Sequence, residues 1–261
     1  MKRTVYYVLC ALLTCCVCAA WVALIWLEIS RTGDIPLRII LLLVVAALCA
    51  LLRLDSLVHE SGHLVFGLLA GLHLRRVSFG RVSFGEGGVR LGSRSAAGET
   101  QFSLKKPQNA HASLIAATVG GPVLGILFGV VMLVLYYVLP THPALTFFTL
   151  FSLWCFAEAV MELLPAELPA GKTDGLMLKE LIQKTGETEV AVRVMQAQLL
   201  AKDGDYTDIP RGLLYDVPVI REDSPAFMQL LRLRAAYCAA AGDADGAAEA
   251  QSRLRSIEED A

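Results

Sequence analysis

The sequence predicts a mainly α, polytopic membrane helical bundle of about four spans, with a small β-hairpin insertion and a helical soluble tail. Three observations predict it. The 261-residue chain is 55% hydrophobic and only 18% charged, well outside ordinary soluble composition. Nearly all of its long apolar runs fall in residues 1–170. Residues 171–261, by contrast, have the mixed polarity of a soluble segment. The net charge of −2 offers no electrostatic footprint for nucleic acid. Of the seven cysteines, Cys10, Cys15, Cys16 and Cys18 lie in the first apolar run, Cys49 and Cys155 in later ones, and Cys238 in the tail. That placement fits small buried hydrophobes rather than a disulfide framework.

The elements follow in order. Met1-Lys2-Arg3 precedes an apolar run from Val5 to Leu27, about 23 residues and long enough to cross a bilayer. The positive start and the small residues at Cys18-Ala19-Ala20 resemble a signal peptide. Trp21 to Leu27 carries the hydrophobicity past that point, so a retained span is expected. Glu28 to Arg38 is a polar link punctuated by Gly33 and Pro36. One long stretch then runs from Leu37 to about Leu72. As a straight helix it would measure roughly 50 Å, against a hydrocarbon core of ~30 Å. Its second half carries Arg53, Asp55, Ser56, His59, Glu60 and His63. Ionisable residues at membrane depth are costly and usually functional, so a protein-lined, water-accessible cavity is expected around them.

His73 to Pro107 changes character. Arg75, Arg76, Arg81, Arg90, Arg94, Lys105 and Lys106 stand against only Glu86 and Glu99. Val77-Ser78-Phe79-Gly80 recurs as Val82-Ser83-Phe84-Gly85, and Gly87-Gly88 follows; this alternation predicts short strands in a hairpin or small sheet. An exposed strand edge could pair with an extended peptide; a plain cytosolic linker with a surface hairpin is the bland alternative. Ala110 to Leu139 is the next span, and Gly120-Gly121-Pro122, Gly125 and Gly129 would permit close helix approach. After Pro140 to Pro143, Ala144 to Leu164 makes the last span, with Glu158 and Glu162 on one helical face. Pro165 and Pro169 end it, Gly171 to Gly175 reads as a loop, and a soluble helix is expected from Met177 onward. In the tail, Ser224-Pro225 marks a helix start. A helix from Phe227 to Ala241 ends near Gly242, and a second follows from Ala244 to Ile257. That helical hairpin could dock on the membrane domain or bind a protein partner. The Lys/Arg excess places the N-terminus, the Arg-rich segment and the tail on the cytoplasmic side.

The chemistry is concentrated in His59-Glu60-Ser61-Gly62-His63. On a helix, residues four apart project from one face, so both imidazoles can reach one metal ion. This is the H-E-x-x-H pattern, in which two histidines bind zinc and the glutamate takes a proton from water. Without a metal, the same residues would be two polar histidines near a helix end. A catalytic zinc needs about three protein ligands. Asp174, Glu158, Glu162, Glu167, His73 and His111 are the candidates for the third. Asp174 has a modest preference because Gly171 and Gly175 would let its segment fold back. Asp55, one turn before His59, could accept a ring N–H from it, or could lie simply on the helix surface.

Taken together, His59-Glu60-Ser61-Gly62-His63 in an apolar helix, Gly121-Pro122 in a later span and Pro165…Asp174-Gly175 after the next resemble the site-2 protease family of intramembrane zinc metallopeptidases. The resemblance covers roughly residues 37–180. It implies zinc held by His59, His63 and Asp174, with Glu60 as general base. The chain departs from the family pattern at two positions where an asparagine is usual: Glu162, three residues before Pro165, and Gly125 after the Gly-Pro. The gap from Pro165 to Asp174 is also longer than in the commonest versions. Glu162 could be a ligand, a proton carrier or an oxyanion-side group.

The resulting expectation is a zinc metalloendopeptidase embedded in a membrane. It has an N-terminal span and link (1–36), a metalloprotease membrane core (37–175, with the hairpin segment at 73–107) and a soluble helical domain (176–261). Its substrate would be a transmembrane or membrane-associated peptide. Its location would be a bacterial cell membrane, crossed several times, with both termini cytoplasmic. A second class is a zinc-binding but inactive relative acting as a membrane scaffold or chaperone. A third, a transporter or sensor passing metal, would need further intramembrane ligand clusters along a path.

Overall fold

A computed structural model describes residues 2–32, 54–79, 82–85, 88–91, 99–106, 109–139, 146–169, 171–201 and 204–260. The link around Gly33 and Pro36, the first half of the 37–72 stretch with Cys49 and Arg53, Gly87, Arg94 and the 140–143 connection lie outside the described residues, as does the side chain of Asp55. The fold is mostly helical with a small antiparallel sheet. The chain divides into two units, one of Met1–Ala70, Leu74–Gln101 and Ala116–Lys179, the other of Gly71–His73, Phe102–Ile115 and Glu180–Ala261.

The first unit is built on apolar helices. α1 (Arg3–Thr32) and α2 (Leu54–Leu69) precede the strands, and α3 (Ala110–Val138) and α4 (Thr146–Leu163) follow them. Among the described residues, two helical stretches are long and apolar enough to cross a membrane, Arg3–Leu24 and Ala110–Val138. Both leave large apolar side chains exposed, among them Leu12 and Val22 in the first and Val131 and Val134 in the second.

Glycines set how closely these helices pack. A Cβ added at Gly62 of α2 would collide with the backbone of Gly120 and Gly121 in α3, and one at Gly120 would collide with the Gly62 carbonyl. The two backbones therefore touch, which small residues alone permit. Further along α3, a Cβ at Gly129 would stand 2.9 Å from the Phe156 ring of α4. Phe128 and Phe151 meet edge to face nearby, with centroids 5.3 Å apart. α1 packs against α4, and Arg3 Nε donates to the Glu167 carbonyl at 3.0 Å.

The Arg-rich segment forms β1 (Leu72–Phe79), β2 (Val82–Gly85), β3 (Gly88–Leu91) and β4 (Glu99–Leu104) in the spatial order β3-β2-β1-β4. The repeated Val-Ser-Phe-Gly segments pair with each other antiparallel, Val77 opposite Phe84 and Ser78 opposite Ser83. β2 then pairs antiparallel with β3. The alternation thus reports the hairpin correctly, but the sheet has a fourth strand, β4, that local pattern does not announce. β3 is exposed along its whole length.

After α4, β5 (Glu167–Leu168) and β6 (Gly171–Lys172) form a two-stranded hairpin, and α5 (Asp174–Gln183) follows. The expected loop at 171–175 is therefore a strand followed by a helix start. Thr173 explains this: its hydroxyl donates to the Leu164 carbonyl at 2.6 Å and accepts from the Ala166 N–H at 3.0 Å. Those bonds close the hairpin and leave Asp174 as the first helical residue. A carboxylate is favourable there because it faces the positive end of the helix dipole.

In the second unit, α6 (Gly186–Leu200), α7 (Arg211–Tyr215), α8 (Pro225–Ala240) and α9 (Ala244–Asp260) enclose a core of Val190, Val194, Ala197, Leu214, Leu230 and Leu233. Ser224 caps α8 by accepting from the Phe227 N–H at 3.2 Å, with Pro225 in the first turn. Gly242, at φ +79°, takes the left-handed turn that ends the helix. The α8–α9 hairpin read from the sequence is present as two packed helices.

Candidate metal centre

All of the site's donors belong to the first unit. α2 presents His59 and His63 one turn apart, their Nε2 atoms 3.0 Å from each other. Asp174 Oδ2 stands 3.0 Å from His59 Nε2 and 3.2 Å from His63 Nε2. Asp174 is brought there by the α4–α5 junction. A Cβ at Gly175 would collide with the backbone of Leu163, so only glycine lets the start of α5 abut the end of α4. Gly121 does the same for the imidazoles, since a Cβ there would stand 2.6 Å from His63 Cε1 and Nε2.

The donor chemistry fits a cation. His63 Nδ1 lies 2.8 Å from the Ala117 carbonyl. A carbonyl can only accept, so Nδ1 carries the hydrogen and the neutral ring keeps a lone pair on Nε2. That lone pair faces a carboxylate oxygen. Asp174 Oδ2 is buried and makes no hydrogen bond, although two imidazole nitrogens are within 3.2 Å of it. With His59 in the same tautomer as His63, three lone pairs converge on one point, and they repel unless a positive charge lies among them. With ligand bonds of ~2.0–2.1 Å, a tetrahedral site spaces its donors by roughly 3.3–3.4 Å, close to the edges of this triangle.

Two carboxylates flank the triangle. His59, Glu60 and His63 each offer a ligand atom, all within 4.8 Å of one another, and so do His59, Glu162 and Asp174. His59, Glu60 and His63 together could hold a metal ion. Glu60 is buried, and its Oε2 accepts from Thr100 Oγ1 on β4 at 2.5 Å. Glu162, the next-to-last residue of α4, is near the backbone N–H of Asp174. That N–H has no intrahelical partner because it opens α5.

Of the other candidates for the third ligand, Glu158, Glu167, His73 and His111 are in neither donor group among the described residues. Sequence reasoning missed Thr100 and the Ala117 carbonyl. The first contacts Glu60 across 40 residues, and the second is a backbone atom with no side-chain signature.

No protein-family model matches the chain, and no curated protein or solved structure is similar enough to match it.

Proposed function

We propose that this chain is a membrane-embedded zinc metalloendopeptidase of the site-2 protease type, acting on transmembrane or membrane-associated peptides. One observation carries the reading: two imidazoles and an orphaned, buried carboxylate oxygen converge within about 3 Å, beside a buried glutamate, on an apolar helix. His59, His63 and Asp174 are the ligands, and zinc is the metal that the H-E-x-x-H spacing on a helix suits. When bound, zinc would acidify water and polarise the scissile carbonyl. Glu60 takes the proton of the attacking water and returns it to the leaving amine. Thr100 holds Glu60 in place by donating to its Oε2. His63 is fixed in the ligating tautomer by the Ala117 carbonyl.

The placement of Thr100 also bears on how substrate enters. β4 is an end strand of the sheet and touches the proposed base directly. An unwound substrate paired along this strand would bring its backbone past Glu60. The chain crosses a bacterial cell membrane four times in this reading, with both termini and the sheet in the cytoplasm. The two apolar helices and the basic Arg-rich segment support that topology.

A second reading, a zinc-binding membrane scaffold without activity, is favoured by one feature, the Glu162 carboxylate close to Asp174 and His59. Glu60→Gln separates the two. For the protease, purified Glu60→Gln retains zinc by elemental analysis and loses cleavage of a transmembrane peptide in detergent. Cleavage at the wild-type rate by this variant, or no cleavage by either protein, removes the protease reading.

A further inference from the structure

We propose that Glu162 is a fourth protein ligand of the metal, closing the site in the resting protein; this rests on the metal centre proposed above. The sequence places a carboxylate where the resembled family has asparagine, three residues before Pro165. In the fold this carboxylate does not turn away to solvent. Its ligand oxygen lies with those of His59 and Asp174 inside a 4.8 Å circle, at the end of α4 that abuts the start of α5. The pocket it faces already contains Asp174 Oδ2, a side-chain oxygen of a residue only 9% exposed that makes no hydrogen bond. Two carboxylates side by side are strongly unfavourable as a pair of bare charges, and a shared proton or a shared cation relieves them; the lone pairs gathered on the metal side favour the cation.

Geometry allows the step. The 4.8 Å limit exceeds the donor spacing of a tetrahedral site, and rotation about the three side-chain torsions of a glutamate covers the difference. The chemistry is distinctive as well. Two imidazoles and two carboxylates make four protein donors, the count of a closed site, whereas an open catalytic site keeps three. The resting centre is therefore closed: a substrate held in place displaces Glu162 to reach the metal, whereas a small exogenous ligand reaches it only when Glu162 is removed.

The rival role for Glu162 is purely positional, as an acceptor for the neighbouring Asp174 N–H. Glu162→Gln discriminates, because a glutamine amide oxygen still accepts that N–H but is a poor zinc ligand. The test uses full-length protein in detergent, stripped of metal and reloaded with zinc or cobalt(II). The wild type, Glu162→Gln, Glu162→Ala and Asp174→Ala are compared. If Glu162 is a ligand, Glu162→Gln and Glu162→Ala each bind zinc at least tenfold more weakly against a competing chelator. Their cobalt spectra change in position and intensity, and azide perturbs those spectra but not the wild type's. Unchanged zinc affinity and an unchanged cobalt spectrum in Glu162→Gln, with Asp174→Ala losing metal, overturn the fourth ligand and leave the three-ligand centre standing. No metal uptake by the wild type overturns the centre and this inference together. If Glu162→Gln does not purify as a folded species, the azide response of Glu162→Ala carries the comparison, because a newly opened coordination position is not an effect of lost positioning.

Discussion

Thr100 is the side chain on which the proposed base depends. Its hydroxyl donates to Glu60 Oε2, and a hydrogen bond to a charged group contributes about 1.5–3 kcal/mol. Without it Glu60 keeps its burial but loses its fixed orientation. Thr100→Val, which preserves shape, is expected to lower kcat by about 10–100-fold. Zinc content should stay at the wild-type level, because Thr100 touches no ligand. Parallel kinetics and elemental analysis check this, and loss of zinc in the variant would show that Thr100 acts on the metal rather than on the base. At this scale the sequence was informative only where chemistry is written into residue type and spacing. His59, Glu60 and His63 are legible because four residues make one helical turn, and Asp174 stands out just past the last apolar run between Gly171 and Gly175. Thr100 is not legible, since nothing in Glu99-Thr100-Gln101 points to a glutamate 40 residues earlier.

Among the elements, the contact between α2 and α3 decides whether the imidazoles can be where they are. Gly121 faces the rings and Gly125, one turn on, faces almost open space, its nearest neighbour being the Cys155 carbonyl at 4.0 Å. The two positions therefore separate metal geometry from helix packing. Gly121→Ala drives a methyl group into His63, an overpacking that costs about 1–3 kcal/mol. Its expected effect is a reduced zinc affinity and a lower unfolding temperature. Gly125→Ala should leave both within error, and isothermal titration with thermal unfolding reads the pair. Equal behaviour of the two variants would show that the close approach is not what holds the site. The Gly-rich character of this span was visible in the sequence, and so was its consequence for packing. Which glycine meets which ring depends on how α3 is rotated about its axis, and a span that is apolar all round carries no face to predict that rotation. The sheet shows the same division. The β1–β2 pairing follows from a local repeat, but the neighbour on the other side of β1 is β4, distant along the chain, and no alternation identifies it.

For the whole molecule, composition divides the chain sharply into an apolar part and an ordinary soluble one, and the second unit does contain a compact helical core around Leu214 and Leu230. The number of crossings is a different matter, because it depends on the stretch before α2 and on helices that carry charges at membrane depth. Charge gives the means to decide it. Lys and Arg concentrate at the N-terminus and in the β1–β4 segment, and basic residues are retained in the cytoplasm. Four crossings put both of these and the tail on the cytoplasmic side and leave the α3–α4 connection on the other. Single cysteines at Val89 on β3, Ser252 on α9 and Leu139 after α3, all exposed, test this in a cysteine-depleted background with an impermeant thiol reagent. Val89→Cys and Ser252→Cys should label only after the membrane is permeabilised, and Leu139→Cys should label in intact cells. Labelling of Ser252→Cys in intact cells while Val89→Cys stays protected would mean an odd number of crossings after the sheet. That outcome would remove the four-span topology while leaving the metal centre, which is built within the first unit alone, untouched.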